Sequence, residues 1–110
     1  MPPLAEELMV VLVTVPDEAT GLSIAKDLLE RRLAACVNRI AGVDSWYRWQ
    51  GKIERAGEEL LIIKAPRAQL DAVVARVRAL HSYQVPEVLC LPVIGGNPGY
   101  LHWLAEETRA

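Results

Sequence analysis

Apolar residues fall along this chain in blocks whose spacing changes from one block to the next, and the changes mark out its elements. Residues Leu8 to Val15 are nearly all apolar and rich in valine, the pattern of a strand buried on both faces. Pro16 closes that strand. Asp17 is placed to cap a following helix by accepting from free first-turn amides. Ala19, Leu22, Ala25, Leu28, Leu29 and Leu33 then recur at three- and four-residue spacing, which predicts a helix with one apolar stripe. Asp27 and Arg31 form an i,i+4 pair on its exposed side.

From Cys36 to Gln50 the pattern turns extended, with a break at Ala41-Gly42. Val43, Ser45, Tyr47 and Trp49 share one face, while Asp44, Trp46, Arg48 and Gln50 share the other. Gly51-Lys52 predicts a hairpin turn. The returning strand starts near Ile53, breaks at the turn-like Arg55-Ala56-Gly57-Glu58, and continues from Glu59 to Ala65. Pro66 is expected to open a second helix, where its missing N–H costs nothing. Leu70, Val73, Val74, Val77 and Leu80 form that helix's stripe. After Val85-Pro86, residues Glu87 to Ile94 predict a fourth strand, and Pro92 argues for an edge or a bulge. Asn97 caps and Pro98 opens a short terminal helix with Leu101, Leu104 and Ala105 on one side.

The order β-α-β-β-α-β plus a terminal helix predicts an α+β, ferredoxin-like fold. Right-handed crossovers place both main helices on one face of an antiparallel sheet. A sheet open to water on its other face should alternate cleanly between apolar and polar residues. The first strand and Leu60 to Ile63 do not. The hairpin carries Trp46 on one face and Tyr47 and Trp49 on the other. About 15 residues at ~3.3 Å each would reach ~50 Å if unbroken, more than a body of this size covers. Either the hairpin twists back onto its own sheet, or its tip and the spare apolar face meet further copies of the chain.

Composition supports the second alternative. The chain has 110 residues, enough for one domain, with residues 1–7 expected as a flexible arm and 8–110 as the folded unit. Its apolar fraction is 52% against 24% charged, an excess that suits a subunit interface. No run approaches the ~20 apolar residues of a membrane span, and the N-terminus lacks the pattern of a signal peptide. A cytoplasmic location and no membrane partner are therefore expected. The net charge is -2 with basic residues scattered, which excludes the stripe needed to track nucleic acid. Cys36 and Cys90 lie far apart in apolar segments and are expected as free thiols.

Catalytic patterns are missing. There is no nucleophile elbow, no H-E-x-x-H, and no phosphate loop, since Gly95-Gly96-Asn97-Pro98-Gly99 lacks the Lys and Ser/Thr that would complete one. Cys36 has no basic helper nearby in sequence, so its sulfur is expected to be inert. A binding protein, not an enzyme, is the expectation.

Several motifs in register carry a resemblance. Leu33-Ala34-Ala35-Cys36-Val37-Asn38, Ser45 to Ile53 (Ser-Trp-Tyr-Arg-Trp-Gln-Gly-Lys-Ile), His81 to Glu87 (His-Ser-Tyr-Gln-Val-Pro-Glu) and Gly99 to Leu104 (Gly-Tyr-Leu-His-Trp-Leu) resemble the CutA family of divalent-cation tolerance proteins, from about Met9 to Glu107. The resemblance implies a tight homotrimer whose long hairpins extend sheets between subunits, much as in the PII signalling proteins. It also implies copper or another divalent cation as ligand, with His81 the metal-ligand candidate. Members with a proposed copper site carry a cysteine late in the first strand and paired histidines before the tyrosine; this chain has Val13 and Leu80-His81. Ser82 and Gln84 replace the usual proline and glutamate, and Ala65 a usual threonine.

In such a trimer an intersubunit cleft is expected at the helix-to-strand junction. Tyr47, Trp49, Lys64, His81, Tyr83, Glu87 and Trp103 are its expected lining. Two ligand classes fit that expectation, a metal ion or, as in a PII-like sensor, a small anionic effector. Alternatively Glu87 and Lys64 pair as a structural salt bridge while His81 caps the second helix.

Overall fold

Hydrogen-bond pairing draws the expected segments into one four-stranded antiparallel sheet. The computed structural model describes residues 7–109. Of the expected flexible arm, residues 1–6 lie outside the described residues, as does Ala110. The elements are β1 (Leu8–Val15), α1 (Glu18–Glu30), β2 (Cys36–Trp49), β3 (Lys52–Pro66), α2 (Leu70–Leu80), β4 (Leu89–Pro92) and α3 (Pro98–Glu107), and the sheet order is β2-β3-β1-β4. Each crossover through α1 or α2 returns the chain to a strand two places away, with β3 or β1 between, which is the ferredoxin-like topology.

Alternation along the strands divides the sheet. Val11, Val13 and Val15 of β1 and Leu61, Ile63 and Ala65 of β3 face α1 and α2, where they meet Ile24, Leu28, Val73 and Val77 in the core. The alternate set, including Val10, Leu12, Leu60 and Ile62, faces the other way and is only partly buried. At one end of that second face α3 covers Leu8 with Leu101 and Leu104. Among the described residues nothing covers the remainder. This is the two-sided apolar character that the strands carry in sequence.

The starts of α1 and α3 behave as their caps predict. Asp17 accepts from the Thr20 amide at 2.8 Å, and that bond holds its carboxyl below the usual carboxylate range. Asn97 accepts from the Gly99 amide at 3.1 Å, with Pro98 next in line. At the end of α1, Arg32 adopts φ 58°. The Leu33 amide donates to Leu28 O at 2.9 Å and the Arg32 amide to Leu29 O at 3.1 Å. That pair of bonds is a Schellman ending, formed with an arginine where glycine is usual.

The structure corrects five expectations. The buried stripe of α1 is Gly21, Ile24 and Leu28, whereas Leu22 and Leu29 are exposed; both sets satisfy helical spacing, and the sheet selects between them. Gly21 lets the helix sit close, since a methyl there would lie 3.4 Å from Val15 and 3.5 Å from Leu61. The hairpin turns at Gln50-Gly51, not Gly51-Lys52, with φ of 50° and 79° at the two residues, as a type I′ loop requires. Arg55 to Glu58 make no turn: β3 runs unbroken for 15 residues, and its pairing with β2 holds Gly57 in the ladder opposite Asp44. Pro66 ends β3, and a 3-10 turn, Arg67–Gln69, precedes α2. Finally, β4 has four residues rather than eight, with Pro92 at its end on the sheet edge.

The break at Ala41-Gly42 is a β-bulge. Ile40 pairs with Leu60 and Val43 with Glu58, so β2 carries one residue more than β3 across the step, and Gly42 takes φ 78°. Beyond it the hairpin projects, giving the molecule a length of 48 Å against 25 and 23 Å.

Candidate functional site

Where the hairpin leaves the body of the sheet, it faces the loop that follows α2. Register puts Val43, Ser45, Tyr47 and Trp49 of β2 on one face with Glu58 and Glu54 of β3. The loop brings Tyr83 and Glu87 to the same place. Between them lies a cleft of about 640 Å³ whose lining includes Thr14, Ser45, Tyr47, Trp49, Glu58, Tyr83 and Glu87. That volume is in the usual range for a small-molecule site.

His81 stands behind the cleft as a post. It is 8% exposed. Its Nε2 lies 2.7 Å from the Thr14 carbonyl oxygen, and its Nδ1 accepts from the Tyr83 amide at 3.0 Å. An acceptor at Nδ1 fixes the proton on Nε2, so Nε2 donates to Thr14. Both ring nitrogens are thus engaged with backbone, where a metal ligand needs one lone pair free. His81 is also the C-cap residue of α2, but through its backbone amide, which donates to Val77 O at 2.9 Å. Its ring leans on Tyr83 with centroids 4.7 Å apart.

Tyr83 in turn reaches Glu58. The phenol donates to Glu58 Oε2 at 2.9 Å. Burial, this bond to Glu58 and the nearby negative charge push the Tyr83 hydroxyl up to about 12, so it is a neutral donor at any physiological pH. Glu58 is only 9% exposed. Among the described residues it has no ion-pair partner, and neither has Glu87.

Of the residues expected in a cleft, Tyr47, Trp49, Tyr83 and Glu87 come together, with His81 supporting them from below. Lys64 and Trp103 do not join them. Lys64 pairs with Val10 and Cys36 at the far end of the sheet. There its ammonium donates to Asn38 Oδ1 and lies 3.8 Å from Cys36 Sγ. Cys36 therefore does have a basic neighbour, one that strand pairing supplies and the linear sequence hides. Lys64 and Glu87 make no salt bridge. Trp103 sits on α3 beside Tyr100, ring centroids 5.5 Å apart. Glu58 and Thr14 escaped the sequence reading, because Glu58 looks like one more turn glutamate until Tyr83 is placed 25 residues away against it. Among the described residues, no group of three His, Cys, Asp or Glu side chains converges as a metal site. No helix among them is long and apolar enough to cross a membrane.

Comparison with known proteins gives a consistent result. The family model described as CutA1 divalent ion tolerance protein matches residues 9–107. The divalent-cation tolerance protein CutA of Thermus thermophilus is 50% identical over 99 residues, which cover 90% of this chain and 96% of that relative. Protein CutA 1, chloroplastic, of Oryza sativa is 48% identical over 101 residues, covering 92% of this chain and 57% of the relative. The chain thus spans just over half the length of the plant relatives it matches. The solved divalent cation tolerance protein of Thermus thermophilus has a TM-score of 0.91 at 48% identity, covering 93% of this chain and 99% of that one. The crystal structure of CutA1 from Oryza sativa has a TM-score of 0.92 at 46% identity, with coverage of 97% and 98%.

Proposed function

This chain belongs to the CutA1 family of divalent ion tolerance proteins, and on that footing we propose that it acts as a homotrimer that binds copper or another divalent cation and is not an enzyme. One observation carries the oligomer: the sheet face opposite α1 and α2 is apolar and largely uncovered. Leu12, Leu60 and Ile62 form its half-buried centre, and Ile40, Leu89 and Leu91 extend it at 45%, 55% and 48% exposure. A patch of that kind on a sheet with two free edge strands, β2 and β4, is what a closed ring of subunits covers.

The cation part rests on the family. For His81 to ligate, it must first release Thr14 or Tyr83. A small anionic effector, the PII-like alternative, draws no support from a cleft that presents Glu58 and Glu87. A cytoplasmic location belongs to the proposal, and free thiols at Cys36 and Cys90 suit a reducing compartment.

Light scattering tests the assembly. A mass three times the 12.2 kDa of one chain is expected, falling to a single chain in Leu12→Glu; a wild-type monomer overturns the trimer. Calorimetry tests the ligand. Heat with copper and none with nucleotides is expected, and the reverse overturns the cation. Copper heat unchanged in His81→Ala removes His81 from the site.

A further inference from the structure

A carboxylate that is nearly out of water is favoured by a partner of opposite sign, because one neutral hydrogen bond offsets only part of its desolvation. Glu58 has one neutral donor, Tyr83, and among the described residues no cation. It lies in a cleft whose walls include Tyr47, Trp49 and Tyr83, with Glu87 at the rim. Aromatic faces carry negative potential and attract cations that are weakly hydrated. Arg48 also borders the cleft, but strand alternation directs its side chain to the opposite face, beside that of Trp46.

We propose that this cleft binds a small organic ammonium ion, a quaternary or methylated amine, with Glu58 as counter-charge and Tyr47, Trp49 and Tyr83 as its walls. Each alternative occupant fails on one count. An anion would meet two carboxylates. A neutral apolar molecule would leave Glu58 without a counter-charge, with Tyr83 as its one partner. A divalent metal wants several lone pairs at close range, and these walls offer ring faces instead. An ammonium ion uses both features together, its charge against Glu58 and its methyl groups against the rings. The tie from Tyr83 to Glu58 holds the carboxylate in place before the ligand arrives, and His81 holds Tyr83 from behind. The site is thus pre-organised. This inference goes beyond the divalent-cation reading and does not depend on it.

The test is titration of the full-length protein with choline, followed by tryptophan fluorescence and calorimetry, after light scattering has fixed the mass of the species in solution. Saturable binding of choline is expected, at least about tenfold tighter than binding of its uncharged tert-butyl isostere. Glu58→Gln keeps an acceptor for Tyr83, so its fold is preserved, and it should weaken choline by at least about tenfold while leaving the isostere unchanged. Trp49→Ala supplies a second variant, on the exposed hairpin, with a similar loss expected. Absence of saturable choline binding overturns the proposal, as does equal affinity for the isostere or unchanged affinity in Glu58→Gln. Zinc or copper displacing choline at stoichiometric concentration also overturns it, in favour of a metal at the same carboxylate. Copper heat that leaves choline affinity unaltered supports it, and keeps the two sites distinct.

Discussion

The Tyr83 hydroxyl donates to Glu58 Oε2 at 2.9 Å, and this one bond ties the loop after α2 to the hairpin strand β3. Since the phenol is the donor, the bond exists only while Tyr83 is protonated. Its folded-state pKa, about 12, lies above the ordinary 10.0. The stability it contributes is therefore fully present below pH 10 and is lost as the pH rises through about 12.

Ultraviolet titration of the tyrosines should accordingly place the Tyr83 phenol last, after that of Tyr100, which burial also raises. Glu58→Ala should bring that phenol back toward its ordinary value, because bond and negative charge vanish together. A late phenol that stays late in Glu58→Ala would mean that burial alone sets it.

Asp27 joins the two helices. Its carboxylate accepts from Arg76 Nε at 2.9 Å and Nη2 at 2.8 Å, and from Arg31 Nε at 3.1 Å within α1. The Arg76 bonds, chiefly, hold its pKa below the usual 3.8. A depressed carboxylate pKa contributes stability that is present above the unfolded value and disappears as the pH falls through the folded one. Thermal melts should therefore show Asp27→Asn less stable than the parent near neutral pH, with the gap closing below about pH 4. A gap independent of pH would assign the loss to packing. Since bidentate pairing needs the planar guanidinium fork, Arg76→Lys should lose most of the same stability.

Arg32 holds a left-handed conformation, φ 58°, that costs a residue with a Cβ about 1 kcal/mol relative to glycine. Arg32→Gly should raise stability by up to about 1 kcal/mol, less what is lost with the bond from Arg32 Nη1 to Arg109 O at 3.2 Å. Denaturant melts measure it. A destabilised Arg32→Gly would show that the tie to the C-terminal segment outweighs the strain.

How far the sequence was legible follows from how local each signal is. The strand Leu8–Val15, the Asp17 cap and the Asn97-Pro98 start of α3 are written within a few consecutive residues, and all three stand. Ile24 against Leu22 was not decidable, since both fit a 3.6-residue stripe and only the position of β1 and β3 picks one. The turn at Gln50-Gly51 hid behind glutamine, a residue seldom found at positive φ. Half the cleft was legible, as aromatic residues at alternate hairpin positions and a polar loop after α2. The other half depends on pairing between distant segments. That pairing brings Glu58 to Tyr83, and it carries Lys64 away to Cys36 and Asn38.

Counting along β2 shows what the bulge does. Before it, the even-numbered Cys36, Asn38 and Ile40 pair with Lys64, Ile62 and Leu60; after it, the odd-numbered Val43, Ser45, Tyr47 and Trp49 pair with Glu58, Ala56, Glu54 and Lys52. One extra residue inverts the phase of the strand while β3 keeps its own. Were that residue paired in the ladder instead of bulged out, Trp46 would lie opposite Glu54 and Arg48 opposite Lys52, so both would look into the cleft and Tyr47 and Trp49 away from it. A guanidinium would then share the face of Glu58, so the bulge at Ala41-Gly42 sets the sign of a cavity that it does not line.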